Sequence, residues 1–299
     1  MRVTLDVFSG RPNPSWTLTG NDLRQLVDRL AGREIPSPGV AVGGLGYRSF
    51  IVSLTGDAQA AAAQLPPTFR VGGQVPQSTA APAAAGGALL SPQESDQTAL
   101  WLLTTAPQGV VPDEVLRHAE SVIKQRASGT LAQAQQPQAP AQAPALATQC
   151  AFANIPYNPD FWNTPVVQPY NNCYNYAADY RTDSRAQPGT ISGHPYDAYQ
   201  CPNMAMAAEY DGCAQSCSAG VTYYLVALVI WPGNDFHWYR YQSPNGFWAH
   251  KPGQTPVRNV DNSDRVISPA DGLDPSNCDR GPYTDFCGYL VIPVGMQVE

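Results

Sequence analysis

Residues 127–147 (ASGTLAQAQQPQAPAQAPALA) divide the chain, because an uncharged run of Ala, Gln and Pro without apolar periodicity has no face to bury. The composition predicts a semi-extended linker between a first domain, 1–126, and a second, 148–299. In a chain of 299 residues each part is long enough for a core of its own. With 43% hydrophobic and 14% charged residues, 29 Pro and 25 Gly, the expected class is a loop-rich α+β protein. The first part carries ten basic and ten acidic residues, the second seven and fourteen, so the net charge of −7 belongs to the second. No basic stripe is present, which argues against a nucleic acid or an anionic membrane as partner.

All seven cysteines (Cys150, Cys173, Cys201, Cys213, Cys217, Cys278, Cys287) fall beyond the linker. Six can pair into three bridges, leaving one free, most naturally Cys173. Such density reads as an extracytoplasmic domain. The start, MRVTLDVFSGRPNP, shows no apolar region or cleavage site of a signal peptide, and the longest apolar run (223–231) is about half a membrane span. Export by a route without a cleaved signal is one expectation. Reduced cysteines in the cytoplasm are the other.

In the first part, 3–8 alternates as a strand and Asn21 caps a helix ending at Gly32. Residues 44–54 and 98–105 (TALWLLTT) read as strands, with a Pro-Ala-Gly-rich stretch at about 66–92 between them, and Pro112 opens a second helix. In the second part a helix is expected from Cys173 to about Arg185 and another at 204–212. Strands are expected at 221–231, 235–242 and 246–253, the last two joined by the Ser243–Gly246 turn, with one final strand in CGYLVIPV.

Chemistry concentrates around NNCYNYA (171–177). Asn172 is a good N-cap, which puts Cys173 in a first helical turn, where unpaired N–H groups and the dipole favour a thiolate. His237 lies in the strand DFHWYRYQ and His250 in its hairpin partner, so pairing brings the two rings together. A cysteine opening a helix, a histidine on a core strand to take its proton and a polar residue on the next strand to orient the ring follow the logic of a thiol-hydrolase triad. The Cys173 N–H with Gln168, Asn171 or Asn172 would supply an oxyanion hole.

At these residues the chain resembles the papain-like cysteine peptidase superfamily, and within it the NlpC/P60 branch. The blocks NNCYNYA, AQPG, WPGNDFHWYR and WAHKPGQTPV, with the opening VFSGRPNPSW and GLGYRSF, are also similar to a set of uncharacterised bacterial proteins with the same motif order. The resemblance implies a papain-like second domain with an antiparallel sheet and disulfides, Cys173 as nucleophile, His237 as base and His250 as orienting residue. It implies a hydrolase (peptidase or amidase) acting on a peptide or cell-wall peptide, with no cofactor or metal. The first domain would then target, bind a protein partner, or inhibit.

Rival readings stand beside it. Cys173 can be half of a disulfide, and Asp261, Asn262 and Asp264 are alternative orienters. Cys213 and Cys217 with the histidines are zinc-ligand types in a poor spacing, and DNSD (261–264) lacks the spacing of a calcium loop. The alternative function is a non-enzymatic, disulfide-braced secreted or assembly protein on a hydrolase-like scaffold.

Overall fold

The computed structural model describes residues 1–35, 43–56, 62, 65–73, 88–129 and 150–299. Most of the expected linker and of the Pro-Ala-Gly-rich stretch lies outside the described residues. Two compact units emerge: Met1–Val7 with Asn13–Ala132, and Phe8–Pro12 with Gln133–Glu299. The class is α+β, with antiparallel sheets and two disulfides.

The first unit is built on a four-stranded antiparallel sheet in the order β2 (Ser15–Thr17), β1 (Arg2–Asp6), β4 (Ser49–Ser53), β5 (Thr68–Val71). Val3 and Leu5 face Val52 and Phe50 directly across the ladder, and all four side chains are buried. A short parallel pair, β3 (Arg33–Glu34) and β6 (Ala88–Leu89), lies apart. Asp6 sits at the end of β1 with Arg48 and Arg70 each 2.7 Å away. Burial alone would raise this carboxyl, but the two guanidinium groups hold it well below the usual range.

Among the described residues this unit has three helices: α1 (Gly20–Leu30), α2 (Pro92–Thr104) and α3 (Asp113–Ala127). The run TALWLLTT, expected as a strand, is the second half of α2. Its start signal lies upstream: Ser91 and Glu94 form a reciprocal capping box around Pro92. A thirteen-residue helix buries Ala99 and Leu102 on one side, whereas a strand would have needed alternate burial.

The second unit centres on β8 (Thr222–Trp231), buried from Tyr223 to Trp231. It pairs antiparallel with β9 (Asp235–Gln242) and β11 (Asp285–Pro293), and β10 (Phe247–His250) adds to β9. A short strand, β7 (Ala151–Phe152), runs parallel to its start. The continuous apolar run is the signature of a strand covered on both faces. Tyr174, Ala177 and Met204 pack with Val226, Leu228, Ile230 and Trp238.

Two bridges brace this unit. Cys201–Cys287 ties the helix α6 (Cys201–Asp211) to β11, and Cys150–Cys217 ties the approach to β7 to the loop beyond α6. Three bridges were expected; Cys173, Cys213 and Cys278 are instead all free and buried. The helix opened by Cys173 is shorter than expected: α5 spans Cys173–Ala178, after the short turn α4 (Pro159–Trp162). Asp179 ends it in the left-handed conformation, φ 54°, where a short polar side chain is tolerated.

Candidate functional site

Asn172 caps α5, its side-chain oxygen accepting from the N–H groups of Tyr174 and Asn175, while the Asn175 amide oxygen accepts from Asn172 N–H. This reciprocal cap fixes Cys173 as the first helical residue, completely buried. Its Sγ lies 3.9 Å from the Phe236 carbonyl oxygen. Burial, then the neighbouring Asp235 charge, push the thiol far above its ordinary value, outweighing the Trp238 N–H and Ser9 hydroxyl that favour the anion. The helix terminus, expected to favour a thiolate, is overridden by loss of water.

His237 and His250 do meet. Register places His250 opposite Tyr239, so His237 is its same-face neighbour one step along the diagonal. His237 Nε2 lies 2.8 Å from His250 Nδ1, and His250 Nε2 lies 3.0 Å from the Val260 carbonyl oxygen. The other nitrogen of His237, Nδ1, is 2.5 Å from Ser9 Oγ. Both nitrogens of the expected base are therefore engaged, Nδ1 with Ser9 and Nε2 with His250.

The proton order follows from the last acceptor. Val260 O can only accept, so His250 Nε2 carries the hydrogen. Burial, then Arg258, depress His250 to about 3, so its ring is neutral and Nδ1 accepts from His237 Nε2–H. The donors thus run from His237 to His250 and end on the Val260 carbonyl oxygen.

Ser9 is held by more than its hydroxyl. The backbone N–H groups of Ser9, Gly10 and Arg11 all donate to the Asp235 carboxylate, at 2.5, 3.2 and 3.0 Å. Tyr283 Oη donates to the same carboxylate at 2.5 Å. Three consecutive N–H groups around one anion form a nest. The Gly10 carbonyl accepts from Asn172 Nδ2 (2.7 Å) and Gln187 Nε2 (2.9 Å), and Arg11 donates to the Asn234 carbonyl. Gly10 is required sterically, since a Cβ there would stand 2.5 Å from the Phe236 ring. Burial raises the Asp235 pKa, and these same donors oppose that rise.

The three amides expected to form an oxyanion hole are committed to the framework. Gln168 donates to the Gln254 carbonyl, and Asn171 to Val167 O and Asp183. Asn172 spends its oxygen on the cap and its nitrogen on Gly10 and Ala186. Lys251, fully buried, donates from Nζ to the carbonyls of Gln168 (2.6 Å), Asn171 (2.7 Å) and Gly253 (2.6 Å), which pins the approach to α5. Of the alternative orienters, Asp261 binds the N–H groups of Ser263, Arg265 and Asp279 and organises its own loop. Cys217 is consumed by its bridge to Cys150. Among the described residues no group of three or more His, Cys, Asp or Glu is placed to hold a metal ion, and no helix is long and apolar enough to cross a membrane.

Sequence reasoning missed Ser9, Gly10, Asp235 and Lys251. A signal existed for one of them: Asp235 and His237 are two apart in one strand and so share a face.

The buried His250 ring makes stability pH-dependent. For a histidine depressed from 6.5 to about 3, the unfolded chain binds more protons between those values. Stability is thus complete above pH 6.5 and lost as pH falls towards 3, with about 2 kcal/mol gone at pH 5. Asp235, shifted upwards, works in the opposite sense and softens the slope. The urea midpoint is expected to fall between pH 7.5 and 5, and less so in His250→Gln. Equal slopes in both proteins would refute the assignment.

No protein-family model matches the chain, and no solved structure does. Over 136 residues, 45% of this chain and 87% of the other, it is 43% identical to "Insoluble matrix shell protein 1" of Ruditapes philippinarum. This overturns the expected place in the papain-like superfamily and its NlpC/P60 branch, and with it the bacterial hydrolase and peptidase character. That resemblance rested on the order of a helix-opening cysteine and two strand histidines, an order equally compatible with a set of inward-facing hydrogen bonds.

Proposed function

We propose, from the premise that this chain belongs to the insoluble matrix shell protein 1 family, that it is a structural component of an insoluble extracellular matrix and acts without turnover. The observation that carries the reading is that family relationship. The geometry of the second unit supports it. Cys173 is sealed from water, its thiol is pushed towards the protonated form, and Ser9 occupies the His237 nitrogen that a nucleophile would use. In this reading Cys173, His237, His250, Asn171, Asn172 and Gln168 hold the fold together, and the two disulfides suit an oxidising exterior. Partners are then other matrix proteins or the matrix itself, and residues 1–126 are the natural partner-binding part.

The test is sedimentation of the oxidised full chain. The protein is expected to pass into a pelletable form as its concentration rises, and Cys173→Ala to pellet equally. A chain that stays soluble at every concentration, and hydrolyses a panel of peptide amides only while Cys173 is present, would contradict the proposal.

A further inference from the structure

The second unit is discontinuous. Phe8–Pro12 is separated from the rest of that unit by Asn13–Ala132, yet its backbone is bound as tightly as an internal strand. The acceptor surface it occupies is specific. Asp235 requires three successive free N–H groups, His237 requires a hydroxyl, and Asn172 with Gln187 require the middle carbonyl. The Phe236 ring excludes any middle residue but glycine. A guanidinium fits next, donating to Asn234 O and lying 4.7 Å over Phe8 and 5.1 Å over Tyr199. The surface reads Ser-Gly-Arg, and this chain supplies that sequence at 9–11.

We infer that the Asp235–His237–Asn172–Gln187 surface is a receptor for the Ser9-Gly10-Arg11 segment of a second copy of this chain, so that copies link by exchanging it. The inference takes its purpose from the matrix reading above, and it names the partner. Every bond in the clamp is the same whether the segment comes from the same copy or another, so those energies cancel. The balance is left to the effective concentration that the connecting chain gives the segment at its own receptor. In a dense matrix the concentration of neighbouring copies competes with that value. When the segment leaves, Asp235 and the ring of His237 open to water, and the surface is vacant for a neighbour. Because each copy has one segment and one receptor, exchange gives either closed dimers or open chains of copies.

The experiment uses two full-length proteins. One is Ser9→Cys with Cys173→Ala, which offers a thiol on the segment; the other is the unaltered chain, whose Cys173 lies beside the Ser9 hydroxyl. Mixed, concentrated and treated with diamide, the two thiols lose two electrons and two protons to the diazene and form a disulfide. The expected product is a covalent dimer with a 9–173 linkage by peptide mass, rising with concentration. Ser9→Cys alone, diluted, closes the same bond within one copy and shows that the geometry allows it. Complete closure within copies, with no 9–173 linkage between copies at any concentration, overturns the inference. Light scattering on the unaltered chain needs no variant: growth beyond a monomer that Gly10→Val abolishes supports exchange, and a monomer throughout overturns it. If the chain pellets without the cross-link, the matrix reading stands and exchange is wrong. If the cross-link forms while the chain stays soluble, exchange stands and the matrix reading is wrong.

Discussion

Replacing Asp235 with alanine is expected to destabilise the second unit by about 4 kcal/mol or more, the largest effect of any single polar change in it. The carboxylate accepts from Ser9, Gly10 and Arg11 N–H and from Tyr283 Oη, and all of it is buried. Removing it leaves four donors without their acceptor, each costing about 1–3 kcal/mol where water cannot reach. Water entering the space left by the side chain recovers part of this, which is why the lower end of the sum is the expected figure. Asp235→Asn is the informative comparison. It keeps one acceptor oxygen but points an amide N–H₂ at donors, so it should recover less than half of the loss. Urea unfolding monitored by tryptophan fluorescence reads both. A change below about 1 kcal/mol for Asp235→Ala would show that the segment 8–12 is not held by the nest.

Lys251→Met is expected to cost about 3 kcal/mol. Burying an ammonium is itself expensive, and exchanging a buried charge for an apolar side chain is often neutral when the whole polar set leaves with it. Here it does not leave. The carbonyls of Gln168, Asn171 and Gly253 remain, aimed at the position of Nζ, and each loses a charge-assisted bond. Two of those carbonyls belong to the approach to α5, so the cap at Asn172 should loosen as well. Lys251→Arg should not rescue, because a planar fork cannot place three donors on a point. The expected readout is a lower melting temperature together with faster amide exchange at Tyr174 and Asn175. Unchanged exchange there would separate Lys251 from the α5 cap.

Much of the fold could be read from local pattern. Continuous apolar character from Tyr223 to Trp231, alternation in 235–242 and the Pro-Asn-Gly turn gave the central hairpin, and the diagonal that joins His237 to His250 follows from it. The Asn172 cap was equally legible, because capping is decided within four residues. Residues 98–105 were not, because the apolar run looks the same in a strand or a helix and the deciding capping box lies outside it. Nor was the clamp. Ser9 and Asp235 are 226 residues apart, and a backbone nest leaves no side-chain signature beyond a glycine. The burial of the Cys173 thiol was not legible for a related reason. Position at a helix start is visible in sequence, whereas the burial that outweighs it comes from packing against strand residues more than sixty positions away, Phe236 among them. Disulfide pairing has too many solutions for counting to choose among them, and only two of the expected three bridges form.

The most direct measurement is native-state alkylation of Cys173. The folded, non-reduced chain is treated with iodoacetamide, and label at each cysteine is followed by peptide mass. With the thiol sealed behind Ser9 and Phe236, Cys173 should label only as fast as the segment 8–12 opens, far slower than an exposed thiol, and Cys213 and Cys278 no faster than the chain unfolds. All three should label once denaturant is added. Rapid, stoichiometric labelling of Cys173 alone in the folded protein would mean that the sulfur faces solvent as a reactive thiolate, and a purely structural role for this cluster would be wrong.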